Sequence, residues 1–246
     1  MYENYDMDKR EAEDLLDFVA MATVCDVMSL TGENRILVKE GLKRIRHTKN
    51  IGLQALMQAC NVQPENISAY HFGYVLGPCV NATGRLDTAR HALRLFETGQ
   101  ETEAEEIARD LVDLNQERKE LTLQGVEMAK KLCEEGGYEN DPVLVLFLPD
   151  VHESIAGLIA GRIRETYQRP VFVLTRGEEG VKGSGRSIEA YSMFDKMTEV
   201  AELFTKYGGH PMAAGLSMRE EDIDKLREQL NQKAELSEED MAEVVR

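Results

Sequence analysis

Six consecutive residues, Lys182-Gly183-Ser184-Gly185-Arg186-Ser187, gather two cations, two hydroxyls and two glycines. That set suits an anion. Backbone N–H groups of a glycine-bent chain make a cradle, Ser184 and Ser187 add donors, and the planar fork of Arg186 grips two phosphate oxygens at once. A glycine-rich hairpin with no ligand is the open alternative. Farther on, Gly208-Gly209-His210 puts a histidine on what reads as a tight turn. His210 there is suited to donate to a phosphate oxygen or a bound water, although a lone histidine is more often structural. Between Gly77 and Leu86, two glycines and Pro78 fall within eight positions. This reads as a shaped loop and not a smooth helix. It offers Asn81 and Arg85 to a phosphate, and an ion pair of Arg85 with Asp87 stands level with that reading. Asp26 is the only acid between Ala20 and Leu30. A carboxylate buried there needs a partner or a metal. One carboxylate does not make a divalent-metal site, so on physics alone Asp26 reads as a cap of the next turn. His152 reads as a helix cap, and His47, His71 and His91 as structural or solvated. No Ser-His-Asp triad, P-loop or complete dinucleotide fingerprint is present.

The elements that must position these residues follow from periodicity. Helices are expected over 9–22, 34–46 and 53–59, with Ser68 capping another that runs to Tyr74 or Leu76. A short helix over 88–99 leads to a long amphipathic one over 101–135, striped by Ile107, Leu111, Leu114, Leu121 and Leu132 and stopped by Gly136-Gly137. A coiled-coil dimer is the alternative for that stripe, but its heptads are short and broken by Arg118 and Gly125. Beyond it the composition changes. Strands are expected over 143–148 and 170–174, a glycine-broken strand over 181–188 and a further one over 213–218. Helices are expected over 152–167, 192–204 and 220–232. The fold class is therefore α/β overall, a helical first half and an alternating second half.

The chain has 246 residues and a formal net charge of −16. Such a balance argues against a bulk phosphate-binding surface but leaves room for a local basic groove. Cys25, Cys60, Cys79 and Cys133 form no C-x-x-C pair, which argues against a structural zinc site or a disulfide framework. Reduced thiols in a cytoplasmic protein are the simplest account. No apolar run has the length of a bilayer span, so no membrane partner is expected.

Taken together, these stretches resemble the RecJ exonucleases of the DHH phosphoesterase superfamily. "DLLDFVAMATVCDVMSLTGENRILVKEGL" is similar to the end of that family's catalytic domain, and "GPCVNATGRL" to its glycine–proline segment. "HESIAGLIAGRI", "RPVFVL", "GSGRS" and "YGGHPMAAG" resemble, in order, the landmarks of the small DHHA1 domain. The resemblance implies the end of a DHH domain over 1–88, connecting helices over 89–137, a mixed-sheet DHHA1 domain over 138–235 and a charged tail over 236–246. It implies a metal-dependent 5′-to-3′ hydrolysis of single-stranded DNA, with Mn2+ or Mg2+ activating water. Asp26 and His210 would be catalytic, Asp26 as a metal ligand and His210 facing the cleft, while Asn81 and Arg85 would line the substrate and Ser184, Arg186 and Ser187 would hold phosphate. The family's earlier motifs, including its Asp-His-His run, do not occur in this sequence. A piece of a longer protein, a split gene product and a remnant all fit that gap. The expectation is that this chain alone binds single-stranded DNA without cutting it, unless a separate chain supplies the missing motifs. Two alternatives share the same landmarks. One is a phosphodiesterase of short oligonucleotides or cyclic dinucleotides, the other a non-catalytic nucleic-acid-binding module.

Overall fold

The computed structural model describes residues 13–178, 180–237 and 239–241. Two compact units divide the chain, Met1–Arg118 and Lys119–Arg246.

Among its described residues, the regular elements of the first unit are all helical. Helices α1 (Leu16–Cys25), α2 (Gly32–Arg44), α3 (Ile51–Ala59), α4 (Gly77–Leu86), α5 (Ala89–Glu97) and the first half of α6 (Glu101–Gly136) compose it. Their apolar stripes meet in one aliphatic core around Ile45, Leu53, Leu56, Phe72, Leu76, Leu95 and Leu111. Each such side chain contributes roughly 1.5–3 kcal/mol when fully buried. Asn50 caps α3, accepting from the Leu53 backbone N–H at 2.9 Å, and its own amide donates to the Phe96 carbonyl at 2.8 Å. One side chain thus starts one helix and ties down the end of another.

Gly77 to Leu86 departs from the expected loop and is helical from end to end. Pro78 lies in its first turn, where a missing N–H costs nothing. Gly77 is there for proximity: a Cβ on it would lie 2.3 Å from the Cys25 sulfur. The approach to α4 is a single α-turn, Ala69–His71, that widens into a π-helical segment, Phe72–Leu76. Ser68 starts it as expected, its backbone N–H donating to His71 Nδ1 at 3.2 Å.

The second unit is a five-stranded mixed sheet between helices. The strands are β1 (Leu144–Phe147), β2 (Val171–Gly177), β3 (Gly180–Arg186), β4 (Phe204–His210) and β5 (Ala213–Met218), ordered β1-β2-β3-β5-β4. β1 and β2 are parallel, joined by helix α7 (Glu153–Tyr167), and every other pairing is antiparallel. Strand side chains alternate between faces. Leu144, Leu146, Val171 and Val173 pack against Ile155, Ile159 and Ile163 of α7 and Val126 and Ala129 of α6. The other face presents Val145, Phe172, Leu174, Val181, Leu216 and Met218 to helices α8 (Met193–Thr198) and α9 (Ile223–Gln232).

Three expectations need correction here. β3 is not broken by its glycines; it is continuous and central, paired with β2 on one side and β5 on the other. Tyr207 to His210 is no tight turn but the end of β4, and the chain reverses at Pro211-Met212. The helix expected over 192–204 is short, ending at Thr198, and a 3₁₀ turn over Ala201–Leu203 leads into β4. The first two share a cause. Glycine signals bending in sequence, whereas in β3 it clears space for packed side chains, and in β4 a Cβ on Gly209 would stand 2.4 Å from the Ala213 carbonyl of the adjoining strand.

Candidate nucleic-acid interface

Backbone N–H groups of a central strand are committed to its two neighbours, so Lys182 to Ser187 cannot form the expected backbone cradle. The glycines have another purpose. A Cβ on Gly183 would lie 2.5 Å from Leu174 and 2.9 Å from Leu216, and one on Gly185 would lie 2.2 Å from the Met193 sulfur. Both glycines belong to the packed face. Their neighbours Lys182, Ser184 and Arg186 therefore point to the other.

Register then assembles that other face. Arg186 pairs with Ala213 and Ala213 with His210; Ser184 pairs with Gly215 and Gly215 with Gly208; Lys182 pairs with Ser217 and Ser217 with Lys206. Directly opposed residues share a face. Across β3, β5 and β4 the sheet thus shows three rows of cationic, hydroxyl and very small residues, while on β1 and β2 the same face is aliphatic and covered by helices. An open cleft of about 440 Å³ lies over the polar half, lined by Ser184, Lys182, Lys206, Ser217 and, from the first turn of α7, Glu153 and Ser154.

Arg186 is half-buried against α7. A Cβ on Gly157 would stand 2.8 Å from its Nη2, and its Nη1 donates to the Gly185 carbonyl at 2.8 Å. Helix α7 itself is started by His152, whose Nδ1 accepts from the Ser154 N–H at 3.3 Å, the capping role read from sequence. His210 is exposed at the end of its strand. Ser187 is not brought to this face. It is buried, and its hydroxyl donates to the Tyr191 carbonyl at 2.6 Å.

The remaining candidates lie in the first unit. Asp26 is exposed and directly follows α1, its N–H bonded to the Ala22 carbonyl at 2.9 Å. It does not cap the next helix, which begins after Thr31. Asn81 and Arg85 are one turn apart on α4, on the stripe that starts at Gly77 against Cys25, the residue before Asp26. Among the described residues no group of three or more His, Cys, Asp or Glu side chains is arranged to hold a metal ion. Asp26 by itself does not fit a divalent-metal centre. The four cysteines are free. Burial pushes the Cys133 thiol up to about 11, so it stays a thiol at neutral pH.

Lys206 and Ser217 escaped the sequence reading. They flank the Tyr207–Gly215 stretch without belonging to it, and only the hairpin register brings them level with Lys182.

Residues 140–236 match the DHHA1 domain family. The single-stranded-DNA-specific exonuclease RecJ of Haemophilus influenzae is 38% identical over 229 residues, covering 89% of this chain and 40% of that protein. RecJ of Thermus thermophilus, solved in complex with Mg2+, superposes with a TM-score of 0.84 at 32% identity over 95% of this chain and 36% of that one. Its complex with Mn2+ gives the same TM-score over 95% of this chain and 34% of that one. The chain thus spans less than half the length of these relatives. No helix among the described residues is long and apolar enough to cross a membrane. Residues 140–236 thus carry a DHHA1 domain, and the chain is similar to the RecJ exonucleases in sequence and structure on both sides of residue 118.

Proposed function

We propose that this chain is the strand-holding part of a RecJ-type enzyme, a metal-dependent 5′-to-3′ exonuclease of single-stranded DNA working in repair and recombination in the cytoplasm. The observation that carries this reading is the polar half-face of the sheet. Ser184, Arg186 and His210 share it, and Arg186 is held against α7 at Gly157. Arg186 grips a phosphate through two parallel N–H donors, and Ser184 and His210 add one donor each. Asn81 and Arg85 line the substrate in the first unit. Asp26 supplies one ligand to a Mn2+ or Mg2+ centre whose other ligands come from outside this sequence, from the rest of a longer protein or from a separate chain.

Alone, the chain binds single-stranded DNA and does not cut it. Two measurements check this. Anisotropy with a labelled single strand should show salt-dependent binding that Arg186→Ala weakens by about 1.5–3 kcal/mol, the size of a charge-assisted hydrogen bond. Incubation with Mn2+ should leave the strand intact. Turnover by the purified chain that disappears in Asp26→Ala would overturn the non-cleaving part. A preference for dinucleotides over longer strands would favour instead a phosphodiesterase of small substrates.

A further inference from the structure

The row formed by Lys182, Ser217 and Lys206 is not needed by the reading above, yet it is built as a site. Lys182 is opposite Ser217 and Ser217 is opposite Lys206. The two lysines therefore spring from strands two inter-strand spacings apart, roughly 9.5 Å, with the serine hydroxyl between them. An anion above Ser217 is within reach of both flexible ammonium groups. Several other cations in this unit are matched with carboxylates: Arg176 with Glu220 at 2.9 Å, Lys196 with Glu235 at 2.6 Å, Arg227 with Asp224 at 2.7 Å. Lys182 and Lys206 are both exposed and have no ion-pair or hydrogen-bond partner among the described residues. The Glu153 carboxylate shares the cleft, its Oε2 3.4 Å and the Lys182 Cγ 2.7 Å from where a Cβ on Gly177 would stand, but it forms no ion pair among the described residues; two ammonium groups against this one carboxylate leave the row with positive charge for a ligand.

The row's position says which ligand. It lies two strand residues from Ser184 and four from Arg186, on the same face. Successive rows are about 6.7 Å apart, a step that suits successive phosphates of an unstacked strand, which is more extended than the roughly 3.4 Å rise of each strand in a duplex.

We propose that Lys182, Ser217 and Lys206 form a second phosphate subsite, which holds a neighbouring phosphate of the strand whose first phosphate is held by Ser184 and Arg186. The subsite rests on the reading that this face binds single-stranded DNA. It makes the grip on the strand length-dependent, because a ligand held at the first row alone does not reach it. Glu153 lines the same cleft, and its carboxylate works against the bound phosphate.

The test is a salt titration of anisotropy with the full chain, using 3′-labelled thymidine 5′-monophosphate, which carries a single phosphate, and a 5′-phosphorylated oligothymidylate of twelve nucleotides. For the twelve-nucleotide strand, Lys182→Gln with Lys206→Gln should lower affinity roughly tenfold at 0.15 M salt. It should also make the log–log salt slope shallower by about 1.4, at about 0.7 for each lysine that no longer neutralises a phosphate. Arginine at both positions should restore binding, Glu153→Gln should tighten it, and the mononucleotide, with no second phosphate, should be unaffected. Lys130→Gln with Lys131→Gln, the same charge change on α6, should do nothing. Unchanged affinity and slope in the Lys182 and Lys206 variant, while Arg186→Ala still weakens binding, would eliminate the subsite and leave the strand-binding reading standing. Equal losses for both lengths, or for the α6 control, would reduce the effect to general charge and also eliminate it. No binding of the twelve-nucleotide strand by the unaltered chain would remove the reading itself, and the subsite with it.

Discussion

Arg186 owes its position to a missing side chain on another element. Gly157 of α7 leaves the space in which the guanidinium lies. In Gly157→Ala the new methyl would stand 2.8 Å from Nη2, and the far end of a flexible side chain can move away at little cost. The expected outcome is weaker strand binding with almost unchanged Tm, read by anisotropy and thermal melting on one sample. Gly185 behaves in the opposite way. Its Cβ would meet the Met193 sulfur at 2.2 Å and the Phe172 ring at 3.1 Å, both in packed core. Gly185→Ala should destabilise the domain by about 1–3 kcal/mol, the ordinary cost of overpacking, seen as a lower denaturant midpoint. Two glycines close to one arginine therefore separate binding from stability. Only half of this was legible in the sequence. The arginine and the serine stand out in the sequence as candidates to hold an anion, but what each glycine faces depends on Gly157 and Met193, which come from distant parts of the chain.

The elements show why some segments were legible and others were not. The long helices were, because their apolar residues repeat at helical spacing and Gly137, in the left-handed conformation, stops the longest one where a glycine pair was noted. The Gly77–Leu86 helix was not, since a rule that counts Gly and Pro as breakers ignores where in the turn they fall. At the start of α9, charge and structure are coupled. Asp222 is buried, with Lys225 Nζ at 3.0 Å and Arg219 Nη2 at 2.7 Å. The hydrogen bond from Lys225, joined by that from Arg219, holds its carboxyl below the ordinary value of 3.8. A carboxyl lowered in the folded state adds stability that is complete above the ordinary value and lost as pH falls through the lower, folded one. Asp222→Asn should thus lower Tm at pH 7, with the difference from the unaltered chain closing below pH 3.8. A difference that persists undiminished at pH 2 would mean that shape, and not charge, is what Asn fails to supply.

On the scale of the whole molecule, each unit has a core of its own, the first around Leu53, Phe72 and Leu111, the second on both sides of the sheet. The division at Arg118/Lys119 falls inside α6, a helix that belongs to both. Residues 119–246 on their own should therefore unfold cooperatively, because Val126, Ala129 and Cys133 on the retained half of α6 still cover the sheet. They should also keep most of the affinity for single strands; calorimetry and anisotropy on that segment decide both. Sequence showed the change from helical to α/β character but not where packing separates, since an unbroken helix leaves no mark at its middle. The two-sided sheet has one more consequence. Behind β3, β4 and β5 everything is fixed by Leu174, Leu216, Met193 and the glycines that fit between them, whereas in front Lys182, Lys206 and Ser217 support nothing. The front of the sheet can therefore be retooled, charge for charge and hydroxyl for hydroxyl, while the fold held from behind stays the same.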